Sequence, residues 1–96
     1  MNYHPGLPVW IPCEVKPGPF SDERIVRINT EGRTWLGFVP VDALREPIIK
    51  GSTAVRAVIT QVFGARFNAK IAGESVTSSV FEGTLSRVEP IAALQA

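Results

Sequence analysis

At 96 residues the chain has room for one hydrophobic core and falls well short of the length at which chains divide into domains. Its 45% hydrophobic and 20% charged residues exclude wholesale disorder, and a net charge of +1 excludes a global field driving it onto nucleic acid or an anionic membrane. The single cysteine, Cys13, excludes an internal disulfide. No segment approaches the ~20 apolar residues of a spanning helix, and MNYHPGLPVWIPCEV lacks the basic start and apolar stretch of a signal peptide. These features point to a cytoplasmic protein.

Glycine and proline, eight of each, cut the chain into strand-sized pieces. Residues 1–8 read as a loose tail. In 9–16, VWIPCEVK, Val9, Ile11, Cys13 and Val15 alternate with Trp10, Pro12, Glu14 and Lys16. Period two means a strand with one buried face. Pro12, which has no N–H to donate, predicts an edge strand or a bulge. Residues 17–22 form a loop. Residues 23–30, ERIVRINT, and 33–40, RTWLGFVP, make a hairpin turned at Glu31–Gly32, where glycine supplies positive φ.

Residues 41–46, VDALRE, are too few for a stable helix and predict a single helical turn, followed by a connector, PIIKGS. Residues 53–62 and 66–72 form a second hairpin. A three-residue loop at 63–65 keeps the faces unmixed: Gln61 faces Phe67, Ile59 faces Ala69 and Ala57 faces Ile71, with Val62, Thr60 and Val58 opposite Arg66, Asn68 and Lys70. The stretch GESVTS is loop, 79–88 is a last strand bent at Gly83, and 90–96 is a frayed tail. About six strands, joined mostly by local hairpins, bury one shared face most economically as a small, mainly antiparallel all-β barrel.

The stretch Gly37–Leu44, GFVPVDAL, resembles the glycine–x–aliphatic–proline–x–polar–x–aliphatic string that ends the fourth strand of SH3-like domains and runs into a 3₁₀ turn. The resemblance implies an SH3-like barrel with additions, an OB-like barrel being the other arrangement. Ala43 stands where the family carries a groove aromatic, so the resemblance does not extend to a proline-peptide groove.

Little here is equipped for catalysis. His4 is the one histidine and has no Cys, His or carboxylate at ligand spacing, so neither a triad nor a metal site is expected. Cys13 lies on the apolar phase and reads as a small buried hydrophobe. GESVTSS lacks the lysine and the setting of a phosphate loop. We therefore expect a non-enzymatic protein with no cofactor and no metal. Its function would be protein interaction or self-association through an apolar patch of Trp35, Phe38 and Pro40, or through an exposed strand edge. Trp10, on the polar phase of the first strand, is a further candidate surface aromatic. The alternative is a nucleic-acid-binding barrel using Arg56, Arg66 and Lys70 on the second hairpin, with Trp35 and Phe63 as stacking aromatics. No membrane partner is expected.

Overall fold

The structure, a computed structural model, describes residues 3–30, 32–73 and 81–91. Among these residues seven strands run in chain order: β1 Pro8–Pro17, β2 Glu23–Thr30, β3 Arg33–Pro40, β4 Ser52–Phe63, β5 Arg66–Ile71, β6 Phe81–Thr84 and β7 Glu89–Pro90. Two 3₁₀ turns, Val41–Ala43 and Leu85–Arg87, are the only helical elements among the described residues. The strands lie in the order β3-β2-β1-β4-β5-β6, each neighbour antiparallel, and the sheet curls into a nearly closed barrel. The ends of the sheet approach each other. Arg33 on β3 sits 3.8 Å from Glu82 on β6, and Gly73, just past β5, lies against the Pro40 ring.

Alternation puts one face of each strand from β1 to β6 inside. Val9, Ile11 and Cys13 from β1 meet Val26 and Ile28 from β2, Val39 from β3, and Val55, Ala57 and Ile59 from β4. Phe67, Ala69 and Ile71 of β5 and Phe81 of β6 join them, as do Ala43, Leu44 and Val88 from outside the strands. The Phe67 and Phe81 rings lie 5.9 Å apart at 54°, the tilted arrangement that the ring quadrupole favours.

β1 is not an edge strand. It pairs with β4 from Pro8 to Glu14 on one side. On the other it pairs with β7 at Val9 and Trp10 and with β2 from Glu14 to Pro17. Val15 donates to Gly51 on the β4 side, and Ile91 donates to Pro8 on the β7 side. Strand parity therefore points Pro12 towards the gap between β7 and β2. The proline reading applies at this one position: the ladder breaks where β1 has no N–H to leave unpaired.

The second hairpin also departs from expectation. At its base the register is the expected one: Ala57 faces Ile71, Val58 faces Lys70, and Ile59 faces Ala69. Beyond it Gln61 pairs with Asn68, Val62 with Phe67, and Phe63 with Arg66, because Thr60 is an extra residue in a β-bulge. The loop shortens to Gly64–Ala65, and Gly64 has φ +58°, as the first loop position of a type II′ turn requires. The bulge turns Val62 inward against the core instead of outward beside Arg66.

The single helical turn expected in 41–46 occupies Val41–Ala43. Of the strand expected over 79–88, residues 79 and 80 lie outside the described residues, Phe81–Thr84 is strand, and Leu85–Arg87 forms the second 3₁₀ turn instead of continuing it. The N-terminal segment is held: Gly6 N–H donates to the Ile59 carbonyl at 2.7 Å, Ile59 N–H returns a bond to Leu7 at 3.0 Å, and the Tyr3 hydroxyl donates to Val88 at 3.3 Å. The expected loop at 73–78, apart from Gly73, and the tail beyond Ile91 lie outside the described residues.

Candidate functional site

The hairpin β2–β3 separates the residues expected to form one patch. Trp35 shares the inner phase with the buried Gly37 and Val39 and packs half-buried against the core. Its indole lies across Gly37, where a Cβ would stand 2.4 Å from Cη2. Phe38 and Pro40 point outward with Leu36. The register sets Phe38 opposite Ile25 and Leu36 opposite Arg27, so Ile25, Leu36 and Phe38 adjoin on the outer face. Leu36 is 63% exposed, and exposed Phe20 and Val41 flank the Pro40 end. Trp35 is thus a barrel plug and Leu36 takes its place outside. The sequence carried the signal for this, since residues 35, 37 and 39 share one phase.

The alternative set lies on a different face. Arg56, Arg66 and Lys70 all point outward from β4 and β5 and are exposed. Arg56 sits directly across from Trp10 on β1, and Lys70, opposite Val58, is its diagonal neighbour. Arg66 is at the hairpin tip, opposite Phe63, away from that pair.

Sequence reasoning missed the groove above Trp10. It is an open hollow of about 560 Å³ between the 45–49 loop and the segment 86–89, with Trp10, Pro12 and Ala54 among its lining residues. Arg45 lies over the Trp10 ring, 5.6 Å from its centroid, within cation–π range. Glu89, which pairs with Trp10 through β7, accepts from Arg45 at 2.8 Å and fixes it there. Arg87 also lines this hollow, as well as an adjoining one of about 230 Å³ that reaches Asn29 and the Glu14–Arg27 ion pair. The loop wall is set by a tight turn, Ile49–Ser52, closed by two mutual backbone bonds of 2.9 and 3.0 Å. Lys50 and Gly51 both have positive φ there, the geometry of a type I′ turn.

Among the described residues no group of three or more His, Cys, Asp or Glu side chains converges as a metal site. Cys13 is buried, and desolvation, with a smaller contribution from neighbouring Glu14, pushes its thiol up to about 12, the reverse of what a nucleophilic thiolate needs. Among the described residues no helix is long and apolar enough to cross a membrane. No known protein family matches the chain, and neither a curated protein nor a solved structure does.

Proposed function

We propose that this chain is a non-enzymatic protein-interaction module that docks its partner on the outer face of β2 and β3. The observation that carries this reading is the apolar row Ile25, Leu36 and Phe38 on the outer face, with exposed Phe20 and Val41 in the segments that adjoin its Pro40 end. Single exposed hydrophobics are ordinary, but a contiguous set rimmed by charge marks a contact surface. Asp22, Glu23 and Asp42 rim one end, and Lys16 and Arg27 rim the side. Phe38 is the central anchor of the kind that dominates interface energetics. β3, last in the sheet order among the described residues, adjoins the same face, and a strand edge there could take a partner strand.

The 3₁₀ turn directly after Pro40, with β4 returning from it to lie beside β1, supports an SH3-like element. β1 standing between β2 and β4, with β5 beyond, equally supports the five-stranded Greek-key arrangement of an OB-type barrel. Both are barrels on which binding surfaces recur with many partners, so the reading rests on the face and not on the fold.

The test is a fragment-library screen with the purified chain as bait. Each binder is measured again with Leu36→Asp, with Phe38→Ala and with the double reversal Arg56→Glu, Lys70→Glu. Leu36→Asp and Phe38→Ala should each weaken binding by about 2 kcal/mol. The double reversal and added salt should have little effect, because an apolar anchor has no counterions to release. Binders indifferent to Leu36→Asp, or no binders at all, defeat the proposal.

A further inference from the structure

The outer face of β1, β4 and β5 concentrates charge that the chain total of +1 conceals. Arg45, Arg56, Lys70 and Arg87 stand on this face or line its groove. Among the described residues three carboxylates, Glu14, Glu46 and Glu89, lie on this face or line its hollows, and Glu14 is taken up by Arg27. Arg45 is tied to Glu89, but Arg56, Lys70 and Arg87 have no acidic partner within ion-pair distance among the described residues. The acids Asp22, Glu23 and Asp42 gather instead at the Pro40 end of the barrel.

An aromatic lies in the middle of this charge. Trp10 faces Arg56 across the β1–β4 ladder and carries the Arg45 guanidinium over its ring. Glu89 holds that guanidinium in place, so indole and guanidinium form a preorganised flat cationic platform. The groove around it continues past Thr53 and Arg87 into the adjoining hollow at Asn29. It is a track rather than a pit.

A flat platform beside three cations that no described carboxylate holds, on an elongated track, fits a chain that carries both planar groups and regular negative charge. We infer that this face binds single-stranded nucleic acid. Phosphates meet Arg56, Lys70 and Arg87, and a base stacks on the Trp10–Arg45 platform. An acidic peptide would satisfy the cations but leave the platform idle. A duplex keeps its bases within its own stack. The site is separate from the β2–β3 face, so the two proposals stand or fall independently.

Fluorescein-labelled oligothymidylate and oligouridylate of about a dozen nucleotides are titrated with the full chain at low salt, with anisotropy as the readout. Saturable binding is expected. Log affinity should fall against log salt with a slope of about −2, three phosphates at roughly 0.7 each. Arg56→Glu and Arg87→Glu should each weaken binding at least tenfold. Trp10→Ala should weaken it about tenfold, with Trp10→Phe restoring most of the loss, and Leu36→Asp should change nothing. If Trp10→Ala unfolds the barrel, the two exposed arginine reversals decide. No binding at low salt, indifference to both reversals, or polyglutamate competing as well as unlabelled oligonucleotide overturns the inference, the last because it shows a surface for any polyanion.

Discussion

Gly37→Ala isolates the plug that closes the inside of β3. The added Cβ would lie 2.4, 2.9 and 3.1 Å from Cη2, Cζ3 and Cζ2 of Trp35, whereas carbon atoms rest at about 3.5–4.0 Å. The indole must therefore withdraw by about 1 Å, losing contact with the core it half covers. Overpacking of this kind costs roughly 1–3 kcal/mol, offset by about 0.4–1 kcal/mol because alanine restricts the unfolded chain. A net loss of about 1–2 kcal/mol results. With m near ~1 kcal/mol/M for a small domain, the urea midpoint followed by far-ultraviolet dichroism should drop by about 1–2 M. The decisive control is the same substitution in a Trp35→Leu background, where the three clashing atoms are gone. There Gly37→Ala should be neutral or mildly stabilising, a change of sign far outside the ~0.3–0.5 kcal/mol error of additivity. An equal cost in both backgrounds would show that the ring is not what excludes a side chain at position 37.

Lys50→Asn should raise stability by about 0.5–1 kcal/mol, because Lys50 holds φ +53° at a cost that asparagine largely avoids; a lower urea midpoint would contradict this. Cys13 keeps its proton in the fold up to about pH 12, while the unfolded chain loses it near its ordinary 9.0. The unfolded state therefore binds fewer protons in this window, so stability is whole below pH 9.0 and declines as pH rises towards 12. The decline should be shallower in Cys13→Ala, and a thiol reagent at mildly alkaline pH should label the native protein no faster than it unfolds; parallel pH profiles or prompt labelling would refute it. Trp35→Ala should act on folding and not on recognition. The urea midpoint should fall by 1 M or more on the same scale of ~1 kcal/mol/M, with binder affinity unchanged where the variant remains folded; the reverse pattern would return Trp35 to the docking surface.

The strands were legible because each carries its own period-two pattern. Alternation of Val9, Ile11 and Cys13 with Trp10 and Pro12 needs no tertiary information. The register of the second hairpin was legible only to Ile59. Beyond it Ile59 and Val62 are both apolar at a spacing of three, and that break in phase is the mark of the bulge. Gly32, with φ +73°, announces its turn, but Lys50–Gly51 is hidden because lysine is a poor indicator of positive φ. Assigning Trp35 and Phe38 to one patch weighed hydrophobicity above phase. Nothing local could reveal the groove: Trp10, Arg45 and Arg87 come from three distant parts of the chain, brought together by β4 and β7 flanking β1. Pro12 was read correctly as a missing donor but placed on the wrong scale, as a whole edge strand instead of one interrupted rung.

The extra residue at position 60 makes β4 tolerant of shortening at one place. Elsewhere along the strand, removing a residue would swap inside for outside in everything beyond the cut. Removing Thr60 would leave Ile59 inward, Gln61 outward and Val62 inward in unbroken alternation, with the pairs to Ala69, Asn68 and Phe67 already in place. Related chains one residue shorter should have lost it there, and a designer seeking a straighter, stiffer hairpin has a single codon to delete.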